Sequence, residues 1–239
     1  MSDDLSPCLY LIPSALGEPD IRHLSPALVE AMDSLDYFIV ERARSARRFI
    51  KACLPHKNIG SLEIVELDKH DAELGVKEFI INLVRQNRSA GLLSEAGAPA
   101  VADPGALIVA KAHASGVRVV PLVGPSAILL ALMASGMNGQ AFCFHGYLPV
   151  KKPELSKALR KLEERVARDG ATQLFIEAPY RNQSLISTAC EALRPDTRLC
   201  MAIDLTLPTE QIIRKDIRSW QVMQTAAFHK RPAIFLIGR

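Results

Sequence analysis

The sequence predicts an α/β protein of two domains, the first on a mostly parallel sheet and the second on a mixed one, with a ligand cleft between them. Three observations carry this. The chain has 239 residues, enough for one large or two small domains with a buried core. Short, continuously apolar runs alternate with longer helical patterns, as strands covered by helices on both faces do. Eight of the 13 glycines lie between Gly91 and Gly146, with Pro99, Pro104, Pro121 and Pro125 among them. Such a string of tight turns belongs at strand ends, where open α/β sheets bind ligands.

Taken in order, strands are expected at Leu9–Ile12, Tyr37–Val40, Leu62–Leu67, Gly91–Leu93 and Val117–Leu122. Ser25 is placed to cap a helix and Pro26 to occupy its first position. Phe79, Ile80, Leu83 and Val84 recur at helical spacing, and Gly116 closes a segment beginning near Ala106. Five strand–helix units in about 120 residues argue for a parallel sheet. Further on, Leu155, Ala158, Leu159, Leu162 and Val166 form one apolar helical stripe. Strands are expected again at Gln173–Ile176, Leu199–Ile203 and Ala233–Ile237. Leu132 and Met133, inside the longest apolar run, read as core. The join falls near Pro121–Pro125, giving domains 1–121 and 122–239, and the default site is a cleft lined by the 94–105 and 124–127 loops.

Several classes are excluded. With 49% hydrophobic and 23% charged residues the chain is not disordered. Its longest apolar run, Ala127 to Ala134, is far short of the ~20 residues that span a bilayer. The Met1-Ser2-Asp3-Asp4 start lacks a secretory layout, so a soluble cytoplasmic protein is expected. Cys8, Cys53, Cys143, Cys190 and Cys200 form no C-x-x-C pair and read as isolated buried thiols. The six histidines lack metal spacing, so no metal site is expected. No dinucleotide-binding glycine fingerprint, phosphate-binding P-loop or serine-hydrolase elbow is present. The net charge of +3 hides a patchy chain. Arg42, Arg44, Arg47, Arg48 and Lys51 cluster without an acid, residues 63–78 are acidic, and residues 151–168 are basic again.

The most informative stretch runs from Leu92 to Gly105, LLSEAGAPAVADPG. A buried strand ends in small residues, then a D-P-G turn launches a helix. Small side chains let a ligand lie on backbone N–H and C=O groups, which suits an adenosine-sized cofactor; a merely tight crossover is the competing reading.

These blocks resemble the tetrapyrrole-methylase superfamily of S-adenosylmethionine-dependent methyltransferases. They are most similar to its ribosomal RNA small subunit methyltransferase I branch, which methylates a ribose 2′-hydroxyl. The branch's opening L-Y-V-V-P-T-P-I-G-N-L-x-D-I is matched by Leu9 to Ile21, one residue shorter. Its S-D-A-G-T-P-x-I-x-D-P-G is matched by Ser94 to Gly105, and its V-P-L-P-G-P-S-A by Val120 to Ala127. Phe144 to Pro149 and Phe175 to Arg181 match F-x-G-F-L-P and F-Y-E-S-P-H-R. Departures are Arg42 and Ala43 within A-E-D-T-R, Tyr180 for a histidine, and Ile203 and Leu207 at the ends of R-E-L-T-K. Members of the branch usually carry a further small helical segment after the last strand, while this sequence runs to Arg239.

The resemblance implies a tetrapyrrole-methylase-like two-domain fold, a homodimer, and S-adenosylmethionine held in the interdomain cleft. By position it places Pro13, Leu16, Gly97, Ala98, Val101, Ser126, Ala127, Ile176, Ile203 and Ala233 near the cofactor. Displacement at a sulfonium methyl is accelerated by positioning, and a ribose hydroxyl gains from a general base. Glu177 is the first candidate and Glu41 the second; for each, an N-cap or an ion pair with Arg181 or Arg44 is an equal alternative. Arg44 and Arg181 are candidate substrate contacts. Arg44, Arg47, Arg48 and Lys51 share one helical face that could neutralise RNA phosphates, or could simply be solvated. Lys151 and Lys152 form a second possible contact. The expected activity is 2′-O-ribose methylation of ribosomal RNA. Two alternatives stay open: methylation of a tetrapyrrole or other small molecule, and a cofactor-binding protein that has lost catalysis.

Overall fold

The computed structural model describes residues 7–67 and 72–239; Met1–Asp4, Lys69 and His70 lie outside the described residues. The chain divides into two compact units, Met1–Ser126 and Ala127–Arg239.

Unit 1 alternates strands and helices: β1 (Cys8–Ile12), α1 (Pro26–Ser34), β2 (Tyr37–Val40), α2 (Ala43–Cys53), β3 (Glu63–Glu66), α3 (Ala72–Arg85), β4 (Ala90–Leu93), α4 (Gly105–Ala114) and β5 (Arg118–Pro121). The sheet is parallel throughout, in the order β3-β2-β4-β1-β5. The side chains of β2 explain why its sequence is apolar without alternation. Phe38 and Val40 face α1 and α2 with Leu28, Met32 and Phe49, while Tyr37 and Ile39 face α3 and α4 with Phe79 and Ile108. Both faces are covered, so both parities must be apolar. The Ser25 hydroxyl accepts from the Leu28 N–H, and Pro26 opens α1. The connections leaving β1 and β4 run in opposite directions along the sheet, which leaves a crevice at the carboxyl ends of these adjacent strands.

Unit 2 contains α5 (Ala127–Ser135), β6 (Phe142–Tyr147), α6 (Lys152–Asp169), β7 (Thr172–Ile176), α7 (Asn182–Ala192), β8 (Arg198–Ile203), β9 (Gln211–Asp216), α8 (Ile217–Gln221) and β10 (Ala233–Gly238). Its sheet is mixed, in the order β6-β7-β10-β8-β9, with only β6 and β7 parallel. The stripe Leu155, Leu159, Leu162 and Val166 of α6 joins Leu185 and Trp220 over Phe175, Met201 and Phe235. Phe175 and Phe235 stack with centroids 5.7 Å apart, and the Trp220 indole N–H donates to the Leu199 carbonyl. The other face of the sheet is covered by α5.

Two expectations are corrected. Leu132 is buried, but Met133 is 77% exposed and Leu129, one turn earlier, 51%. The apolar run is a helix, and only the stripe holding Ala131, Leu132 and Ser135 meets the sheet. Nor are all five thiols buried: Cys143 is exposed on edge strand β6. Among the described residues, no helix is long and apolar enough to cross a membrane.

Gly91 tests the packing of the first sheet. A Cβ there would stand 2.7 Å from Ile12 Cδ1 and 2.7 Å from Phe38 Cδ1, so strands β1 and β2 leave no room for a methyl group. Gly91→Ala should destabilise the protein by about 1–3 kcal/mol, read as a lower urea midpoint; an unchanged midpoint would contradict this packing.

Candidate functional site

The loops after β1 and β4 are joined into one surface. Ser14 and Gly97 exchange both backbone hydrogen bonds, at 2.9 and 3.0 Å. The Ser14 hydroxyl donates to the Ser94 carbonyl and the Ser94 hydroxyl to the Gly97 carbonyl, each at 2.8 Å. Gly97 has φ +77°, and a Cβ there would lie 3.2 Å from Leu16 Cδ2, so the position needs glycine on two counts. The D-P-G turn that follows is held by Asp103, whose Oδ1 accepts from the Ala100 N–H at 3.1 Å and the Gly105 N–H at 2.6 Å. Ala100 and Ala102 adopt positive φ of 65° and 58°. This loop geometry brings Pro13, Leu16, Gly97, Ala98 and Val101 to one edge of the unit 1 sheet. Among the described residues, the amides of Ala96 and Ala98 have no protein acceptor.

Glu41 follows β2 on the same rim, since Val40 pairs with Leu93. Its Oε1 accepts from the Glu95 N–H at 3.3 Å. Burial, then a hydrogen bond shared with Asp103, pushes its carboxyl above the ordinary glutamate range; the charges of Asp103 and Glu95 add to this, and the Glu95 amide opposes it. Arg44 is not its partner. Arg44, Arg47, Arg48 and Lys51 lie on the exposed side of α2, opposite buried Ala46, Phe49, Ile50 and Cys53. Lys51 is tied to the Pro55 carbonyl. The start of α2 is capped by Glu66, which accepts from the Ala43 N–H at 2.7 Å.

In unit 2, register brings three expected residues to one end of the sheet. Ile176 pairs with Ile234, and Ala233 pairs with Ile203. Glu177 follows directly and is buried. Its Oε1 accepts from the Ala178 N–H, while its Oε2 lies 3.2 Å from Arg181 Nε, so the alternative ion pair is present. Arg181 also donates to the Val150 carbonyl. Ser126 closes unit 1 and Ala127 opens α5.

Sequence reasoning missed a clamp at this end. Asp204, with φ +50°, accepts from Arg231 and from the Thr209 hydroxyl, and Arg231 also reaches the Thr209 carbonyl. The buried Asn182 side chain donates to the Phe228 and Arg231 carbonyls, and the Lys230 amide donates to Pro179. No local signal marks this set, because its members are distant in sequence. Asp103 could have been found, since an aspartate before Pro-Gly is a turn former that accepts from nearby amides. Burial pushes the Cys53 and Cys200 thiols up to about 11, which makes them inert. Among the described residues no cluster could hold a metal ion.

These features define a class first: the fold is that of the tetrapyrrole methyltransferases. The crystal structure of the methyltransferase CobJ superposes with a TM-score of 0.63 at 17% identity, covering 98% of this chain and 95% of that one. The chain belongs to the family described as Tetrapyrrole (Corrin/Porphyrin) Methylases, whose sequence model matches residues 9–220. It is similar to the ribosomal RNA small subunit methyltransferase I of Bacillus subtilis, 32% identical over 87% of this chain and 67% of that protein. The protein of that name from Vibrio cholerae is 29% identical over 87% and 68%. The chain is thus a methyltransferase by family.

The Glu41 carboxyl gives a pH signature. Its folded value lies above its unfolded value, so its contribution to stability is complete below the unfolded pKa and is lost as pH rises through the folded one. The stability of the wild type relative to Glu41→Gln should therefore fall as pH rises from 4.5 upward. Urea denaturation of both proteins across this range checks it; a difference constant with pH would refute it.

Proposed function

We propose that this chain methylates a ribose 2′-hydroxyl of small-subunit ribosomal RNA with S-adenosylmethionine, acting as a homodimer in the cytoplasm. The observation that carries the reading is the small-residue loop clamped between Ser14 and Gly97 at the carboxyl ends of β1 and β4. Relatives named as ribosomal RNA methyltransferases, and the basic face of α2, support RNA as the acceptor.

The loop fits an adenosine-sized cofactor. Its amides at Ala96 and Ala98 are free to donate, and side chains at Gly97 and Ala98 are absent or minimal. Pro13, Leu16 and Val101 supply apolar contact, with Ser126 at the end of the unit. Ala127, Ile176, Ile203 and Ala233 are the contribution assigned to unit 2. When bound, S-adenosylmethionine supplies an electrophilic methyl group on a sulfonium.

The chain's own residues then have distinct tasks. The backbone clamp would hold the loop that carries the cofactor in one geometry and so orient the methyl group toward the acceptor. Glu41 would take the proton of the acceptor hydroxyl; its raised affinity for protons makes it a better base than an ordinary carboxylate. Glu177, engaged at both oxygens, is assigned to orienting Arg181. Arg181 and Arg44 meet substrate phosphates, and Arg47 and Arg48 extend the contact, which makes binding salt-dependent.

Labelled S-adenosylmethionine should transfer its methyl to small-subunit RNA and not to uroporphyrinogen. S-adenosylhomocysteine should raise the melting temperature of the wild type but not of Gly97→Val. Glu41→Gln should keep the thermal shift while kcat falls by about 10²–10⁴. No shift of the wild type at millimolar ligand, or label in the macrocycle instead of RNA, would sink the reading.

A further inference from the structure

Unit 2 carries a cavity of about 520 Å³ that uses none of the residues assigned above. Its polar lining comprises Arg194 and Asp196 before β8, Arg198 on β8, Arg214 on β9, Glu163 on α6, and Arg239 after β10. Strand register explains the convergence. Arg198 pairs with Asp216 and Cys200 with Arg214, so Arg198 and Arg214 are diagonal neighbours on one face, about 7–8 Å apart. Gly238 pairs with Arg198 on the other side, which brings Arg239 to the same sheet end.

The side chains lining the cavity are unbalanced in charge: four guanidinium groups stand with two carboxylates, Glu163 and Asp196. Glu163 is nearly buried, accepts from the Arg194 N–H and the Thr197 hydroxyl, and lies 3.6 Å from Arg194 Nε. It holds the turn and offsets Arg194. Among the described residues, no carboxylate side chain pairs with the other three arginines. Arg239 donates to the Ala167 carbonyl and Arg214 to the backbone oxygen of Arg239. Arg198 has no partner among the described residues. Guanidinium groups with donors to spare, around a cavity in the size range of small-molecule sites, match the forked geometry that phosphate oxygens accept.

We infer that this cavity binds phosphate groups, and that they belong to an RNA backbone. The RNA source rests on the function proposed above; the phosphate chemistry does not. The Arg198–Gly238 pair and the Ile203–Ala233 pair end the same ladder five residues apart, about 17 Å at ~3.3 Å per residue. The cavity is therefore separate from the unit 2 residues assigned to the cofactor. It would grip the polyanion at a second point and fix its register.

The test uses the double variant Arg198→Gln/Arg214→Gln, both positions being exposed. Labelled single-stranded RNA is titrated across a salt series, and pyrophosphate is titrated by calorimetry. The variant should bind RNA roughly tenfold more weakly near 0.15 M salt, with the slope of log affinity against log salt reduced by about 1.4. Its urea midpoint and its thermal shift with S-adenosylhomocysteine should stay those of the wild type. If the variant binds RNA and pyrophosphate as the wild type does, the inference falls while the methyltransferase reading stands. If the wild type binds pyrophosphate through these arginines but no RNA, the phosphate site stands, its RNA source is overturned, and the proposed substrate falls with it. If the wild type binds neither, the site is overturned.

Discussion

The exchange of two backbone hydrogen bonds between Ser14 and Gly97 is the contact on which the chemistry of unit 1 depends. It joins loops more than 80 residues apart, and it can form only because β1 and β4 are neighbours in a parallel sheet. Parallel strands send their connections over the sheet faces, so the carboxyl ends stay open for loops to meet. Gly97 closes the pair because a left-handed residue turns the chain back toward Ser14. The Ser14 hydroxyl then satisfies the Ser94 carbonyl, and the Ser94 hydroxyl gives the Gly97 carbonyl a second donor. What stays exposed is a short length of backbone with almost no side chain, rimmed by three carboxylates that share their surroundings unequally. Burial of Glu41 on this rim raises its affinity for a proton.

Legibility in the sequence followed burial. Strands β1, β2 and β4, apolar on both faces, announce themselves as unbroken runs, and α6 announces itself by a stripe with charges opposite. Strands β6 and β9 were missed, and both are edges of the unit 2 sheet. An edge strand is half solvated, so Phe142–Tyr147 contains His145 and Gly146 and Gln211–Asp216 ends in charge. Met133 misled for the opposite reason: its neighbours are apolar all round, so nothing local separates the covered stripe from the bare one.

The candidate site divides the same way. The 94–105 loop was readable because small residues, a glycine and Asp-Pro-Gly constrain the backbone directly. The meeting of Asp204 with Arg231 was not, because it depends on β8 pairing with β10. Charge clusters were readable as composition only. The structure separates those that are compensated, such as Glu66 at the start of α2, from those that are not, such as the outer face of α2 and the arginines around the unit 2 cavity.

The clamp around Asn182 has a dynamic consequence. One buried amide holds the carbonyls of Phe228 and Arg231, Arg231 holds Asp204 and the Thr209 carbonyl, and Lys230 is bonded to Pro179. Three loops that follow β7, follow β8 and precede β10 are thereby stitched at a single end of the sheet. The segment before β10 is bonded to each of the other two, so its opening exposes the bonds of both, and protection of these amides in hydrogen exchange is expected to be lost together. Residues 176, 203 and 233 sit at its border, and their spacing is set by a cooperative event rather than by the independent wandering of three loops.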